Sequence, residues 1–123
     1  NKVNRFKMDS GRESKIANIK KLHNLLENST DVREILSDFL DYYPHQLQLI
    51  KEKATKNAFI EMANQVHKLK GSLSNFDAEK ATEILKNLEE YVKEENKKAI
   101  EEYLVKLENE LEILKSYLLK HLN

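Results

Sequence analysis

The sequence predicts an all-α fold, an antiparallel four-helix bundle with an additional short N-terminal helix. Three observations predict it. One proline and two glycines in 123 residues cannot supply the turns that a β protein of this length needs. Leu, Lys and Glu, all good helix formers, are abundant. Apolar residues recur at steps of three and four in successive stretches separated by short polar connections, the pattern of amphipathic helices packed as antiparallel neighbours.

Residues 1–14 carry Gly11 and no periodicity, and read as a flexible tail or linker ahead of one domain over residues 15–123. Ile16, Ile19, Leu22 and Leu26, with Leu25 alongside, mark the short first helix. It breaks at Asn28-Ser29-Thr30-Asp31, where Thr30 or Asp31 is a suitable N-cap. The next stripe is Val32, Leu36, Phe39, Tyr43, Leu47 and Ile50, either one long helix or two halves joined at Pro44, with a kink expected over Leu40 to Tyr43. Asn57 is read as the cap of a helix with the stripe Phe59, Met62, Val66, Leu69, Leu73 and Phe76. Asp77 is read as the cap of the following one, with Ala78, Ala81, Leu85, Leu88 and Val92. Asn96 precedes a last stripe of Ile100, Leu104, Leu107, Leu111, Leu114 and Leu118, a heptad seam. Opposite charges at helical spacing, such as Glu89 with Lys93, Glu94 with Lys98 and Glu102 with Lys106, read as a solvated face.

Composition excludes several functions. Basic and acidic residues balance at 21 each, without the basic excess of a nucleic-acid binder. With no cysteine, disulfides, thiolate catalysis and Cys-held metals are ruled out. No apolar run is long enough to span a bilayer, and no apolar stretch follows Lys2, Arg5 and Lys7 as a signal peptide would require. A start at Asn1 without Met leads us to expect a piece of a longer protein.

There is no Gly-rich phosphate loop and no His-Glu-x-x-His run. Of four histidines, His23, His45 and His121 lack a partner at ligand spacing and read as surface or boundary residues. His67 differs in its neighbours: Lys70 and Gly71 follow one turn later on the same side of the helix. A mid-helix glycine costs roughly 1 kcal/mol against alanine. Two explanations stay open, close helix packing at Gly71 or the need of a partner to reach the imidazole without meeting a Cβ. A neutral imidazole is a good nucleophile near neutral pH, and a nearby ammonium stabilises the phosphorylated ring as a point charge. Such a constellation relays a phosphoryl group and has no means of binding ATP.

The segment His67-Lys68-Leu69-Lys70-Gly71-Ser72-Leu73-Ser74-Asn75-Phe76-Asp77-Ala78 resembles the motif His-x-Leu-Lys-Gly-Ser-Ser-x-x-x-Gly-Ala of the histidine phosphotransfer (HPt) domain of two-component phosphorelays. Leu73 and Asp77 depart from it. Leu73 falls on the apolar stripe. Asp77 replaces a glycine that ends the helix in a left-handed conformation, which Asp tolerates better than most residues. The resemblance extends from Val32 to about Leu118. It implies a monomeric carrier in signal transduction whose His67 accepts a phosphoryl group from the aspartyl phosphate of a receiver domain and passes it to another receiver. It implies charge stabilisation by Lys70 and partner access at Gly71. Glu89 falls where the family places a polar residue that orients the imidazole; its other reading is a solvated partner of Lys93. The expected partners are response-regulator receiver domains, with no nucleic acid and no membrane contact. No cofactor is expected in this domain, and magnesium is expected in the partner receiver. The domain by itself is expected not to be an enzyme. It is expected in the cytoplasm, as the C-terminal module of a hybrid sensor histidine kinase, membrane-anchored or not. Two alternatives are a phosphate-independent helical adaptor that docks receivers, and an enzyme built on a bundle; the apolar stripes offer the second no convergent polar set.

Overall fold

Each apolar stripe specifies a helix and the face it buries, and the short connections decide which helices become neighbours. The structure, a computed structural model, describes residues 16–18 and 29–122. Among them are α1 (Ser29–Thr55), α2 (Phe59–Leu73), a 3-10 turn (Ser74–Phe76), α3 (Glu79–Lys93) and α4 (Lys97–Leu122). Consecutive helices pack against each other, and α4 closes the bundle against α1. The all-α bundle expected from the sequence is the fold observed. No helix among the described residues is long and apolar enough to cross a membrane.

The stripes form the core. Val32, Leu36, Phe39, Tyr43, Leu47 and Ile50 of α1 are buried. So are Met62, Val66, Leu69 and Leu73 of α2, Phe76 after it, and Ala81, Leu85, Leu88 and Val92 of α3. In α4, Ile100, Leu107, Leu111, Leu114 and Leu118 are buried, while Leu104 and, in α2, Phe59 are half-buried against the cluster. Phe39 joins α1 to the 3-10 turn, its ring edge-on to Phe76 at 4.9 Å and stacked on Tyr43 at 5.3 Å. Burying an aliphatic side chain contributes about 1.5–3 kcal/mol, so these faces outweigh local penalties. One such penalty is Pro44, which α1 carries without interruption on its exposed side, with buried Tyr43 and Leu47 beside it. Of the two readings of this stretch, a single helix is the one observed.

The helix ends correct two expected caps. Asn57 does not cap α2. Its φ is +56°, and it terminates α1: its N–H donates to Ala54 O at 3.1 Å and the Ala58 N–H to Lys53 O at 2.9 Å. This is the paired-bond ending with a left-handed residue after the helix. Asp77 does not cap α3 either; it ends the 3-10 turn at φ +51°, ψ +44°, as the glycine it replaces would. The N-cap positions are Ala58 and Ala78, neither with a side-chain bond. In both connections the same residue had to reverse the chain, and a left-handed residue belongs to the helix it ends. Glu95 does likewise at φ +55°, with its N–H on Val92 O and the Asn96 N–H on Tyr91 O, both at 3.0 Å. Asn96 is the cap expected: its Oδ1 accepts the Ala99 N–H at 3.2 Å.

Ahead of the bundle, Ala17 is buried and the Asn18 N–H donates to Phe76 O at 2.6 Å. Ile16 is helical, but Ala17 and Asn18 are not, so the short helix expected from Ile16 does not run through them. The remainder of that expected helix, His23, and the tail over residues 1–14 lie outside the described residues.

Candidate functional site

Because Val66 and Leu69 turn inward from α2, His67 is set on its outer flank, with its side chain 72% exposed. Lys70, one turn later, lies across the groove toward α3. Its Nζ donates to Glu89 Oε2 at 2.8 Å, and both side chains are largely covered there, at 29% and 18% exposure. The other oxygen of Glu89, Oε1, stands 3.8 Å from His67 Nδ1, beyond a hydrogen bond but close enough to sense a charge on the ring. The Lys70 hydrogen bond holds the Glu89 carboxyl below its ordinary range, against an opposing effect of burial; the charges of Lys70, Lys93 and His67 add to the lowering. Glu89 is therefore an anion around neutral pH.

A Cβ added at Gly71 would meet nothing within 4 Å. The close-packing explanation of this glycine has no neighbour to pack against. The carbonyl of Gly71 accepts from the Ser74 hydroxyl at 2.6 Å and from the Ser74 N–H. Ser72 Oγ donates back to Lys68 O at 3.3 Å. These bonds tighten the last turn of α2. Ile60, 83% exposed, lies two turns before His67 on the same ridge.

The four expected site residues thus come together: His67, Lys70 and Gly71 on α2, and Glu89 reaching them from α3. The link between Lys70 and Glu89 was not expected. Glu89 does not rest on Lys93; Lys93 lies 3.7 Å from Glu90 instead. Lys106 places its ammonium 4.4 Å from the centre of the Tyr103 ring, a cation–π contact rather than the pairing expected with Glu102. His45 is exposed, and the His121 ring stands 4.7 Å from that of Tyr117. Among the described residues no group of three or more His, Asp or Glu is placed to hold a metal ion. One charged residue departs from the solvated face expected of the charged positions. Glu110 is 4% exposed on α4, with Lys80 Nζ at 3.8 Å. Burial pushes its carboxyl above the ordinary range, partly offset by Lys80.

The site is thus one cluster on the flank of a helical bundle: an exposed histidine, a lysine and an open glycine on α2, with a carboxylate from α3. The family model of the Hpt domain matches residues 34–117, and the chain belongs to that family. Hpt domains serve as histidine phosphotransfer carriers in two-component phosphorelays. Among solved structures, the chain is similar to the HPT domain of a sensor hybrid histidine kinase from Shewanella, with a TM-score of 0.73 at 20% identity over 88% of this chain and 94% of that one. At that identity the likeness concerns the fold. No curated protein matches the chain.

Proposed function

We propose that His67 is the phosphoacceptor, taking a phosphoryl group from the aspartyl phosphate of one receiver domain and passing it to another. The observation that carries this reading is the setting of His67 in an Hpt-family chain: exposed on α2, one turn from a glycine whose missing side chain leaves open space. With Nδ1 turned toward Glu89, Nε2 is the nitrogen left for attack. Its lone pair forms the N–P bond while the P–O bond to the donor aspartate breaks. Phosphoryl transfer asks mainly for positioning and for charge near the equatorial oxygens, and Lys70 is the cation at hand. The ridge of α2 that carries Ile60, His67 and Gly71 is the surface a receiver would meet. We propose that any magnesium requirement belongs to the receiver and that this chain transfers phosphate without a metal of its own. The chain is read as the C-terminal module of a hybrid sensor histidine kinase, a reading that the upstream sequence of the gene product tests.

The experiment is to mix the chain with a phosphorylated receiver domain. One phosphate is expected, on His67, labile to acid and resistant to base. Full labelling of a His67→Gln variant would refute the assignment.

A further inference from the structure

The ammonium that would attend a phosphoryl group on His67 is already engaged. Glu89 holds Lys70 Nζ at 2.8 Å through Oε2, while Oε1 waits 3.8 Å from His67 Nδ1. One carboxylate thus faces an ammonium and an imidazole, and bonds the ammonium. We propose that Glu89 is a positioning residue that exchanges partners during transfer, holding the Lys70 ammonium while His67 is free and the Nδ1–H of the ring while His67 carries phosphate. The proposal rests on His67 being the acceptor and adds how the site keeps its phosphate transferable.

The chemistry requires such a holder. On loading, the Nε2 lone pair forms the N–P bond and the donor aspartate leaves with the P–O electron pair. No proton moves, so the ring keeps Nδ1–H and gains a positive charge beside Glu89. The phosphoryl oxygens bring negative charge to the other side of the ring and draw Lys70 away from the carboxylate, which turns to Nδ1–H. On discharge an acceptor carboxylate oxygen forms the new P–O bond, and the N–P electron pair returns to Nε2. The departing group is then a neutral imidazole. Had Nδ1 lost its proton, the departing group would be an imidazolate anion, a far poorer one.

The charged groups around this proton come from the two helices that meet there. They are the charged groups that act on Glu89: Lys70 and the His67 ring of α2, and Lys93 of α3. Freed of Lys70, Glu89 has the ring as its remaining close partner. A glutamine at position 89 would still accept from Nδ1–H through its amide oxygen but would bring no charge.

The test loads the purified chain with phosphoramidate, which phosphorylates imidazole nitrogen and releases ammonia, and so needs no receiver. The phosphorylated His67 ring and the Lys70 side-chain nitrogen are followed by NMR as pH is varied. In a Glu89→Gln variant the phosphorylated ring is expected to lose its Nδ1 proton roughly one pH unit lower than in the wild type, and phosphate on His67 to last up to about tenfold longer near neutral pH. Glu89→Asp, which keeps the charge, should restore part of both. In the wild type the Lys70 signal should move on loading. A ring titration unchanged by Glu89→Gln, or a Lys70 signal unchanged by loading, overturns the exchange while leaving His67 as acceptor. Failure of His67 to take phosphate while other histidines do so overturns the acceptor assignment itself. Should Glu89→Gln not fold, the wild-type Lys70 signal and the Glu89→Asp titration still decide.

Discussion

Gly71 separates access from packing, and the two predict opposite results. A methyl at this position meets open space, so Gly71→Ala has no steric cost and gains helix propensity, up to about 1 kcal/mol in a helix interior. Position 71 lies in the last turn of α2, so part of that gain is expected. For a chain of 123 residues 1 kcal/mol moves the melting temperature by roughly 4 °C. Gly71→Gln should fold as well, since glutamine is also a good helix former. Transfer should behave differently. Side chains four apart on a helix have Cβ atoms about 5–6 Å from each other, and the reacting atoms must approach to about 3–3.5 Å. A methyl intrudes little on that approach. A glutamine side chain occupies the space beside the imidazole, and a displacement of about 1 Å at the reacting centre is worth about a hundredfold in rate. Melting curves and transfer rates from a phosphorylated receiver, measured on wild type, Gly71→Ala and Gly71→Gln, give the answer. The expected series is equal or rising stability with transfer falling as the residue grows. An unfolded Gly71→Gln, or a folded one that transfers at the wild-type rate, refutes the access argument.

Lys70→Ala should slow transfer while costing about 1 kcal/mol of stability or less, the usual worth of an ion pair near the surface, which urea unfolding beside a transfer assay checks; a loss of several kcal/mol would make Lys70 chiefly structural. Glu95 adopts φ +55° at the end of α3, where a non-glycine residue carries roughly 1 kcal/mol of strain; Glu95→Gly should raise the urea midpoint, and a lowered one refutes the strain argument. Glu110 has a carboxyl raised by burial, so the folded state binds its proton more tightly than the unfolded state. Between the ordinary carboxyl value and the raised one, stability must then fall as pH rises. Glu110→Gln should flatten that part of the stability–pH profile, and an unchanged profile refutes the reading. Glu89 contributes with the opposite sign: its lowered carboxyl adds stability that is complete above the ordinary value and lost as pH falls through the lowered one, a loss that Glu89→Gln should abolish.

The stripes could be read because helical burial follows spacing: whatever falls at three and four from a core residue is carried to the same face, as Val32 through Ile50 show. The same rule hid Glu110. It lies three positions from Leu107 and beside Leu111, inside the buried seam, where its charge by type predicts exposure and its spacing predicts burial. The caps misled for a different reason. Asn57 and Asp77 are good N-cap residues by type, but Asn and Asp are also the residues that best tolerate φ > 0, and the shortness of each connection decides between the two uses. At the site, His67, Lys70 and Gly71 were legible because helical spacing puts them together. The Lys70–Glu89 bond joins residues 19 positions apart, and no local periodicity reports a contact between two helices.

That bond bears on what a carrier must do. A phosphoryl group has to be accepted and given up with similar ease, so a site that stabilised the phosphorylated ring strongly would hold it rather than pass it on. A free ammonium beside His67 would favour the phosphorylated form by its full attraction for the phosphoryl oxygens. An ammonium drawn from Glu89 favours it by the difference between two attractions, and the one given up is partly covered from water, its side chains 29% and 18% exposed. On the proposed reading, the open space at Gly71 works in the same direction, because incoming and departing carboxylates would meet the same unobstructed approach. With His67 as the proposed acceptor, the expected hold on phosphate is weak: a salt bridge between α2 and α3 attenuates the lysine, and the bundle core beneath fixes where both partners stand.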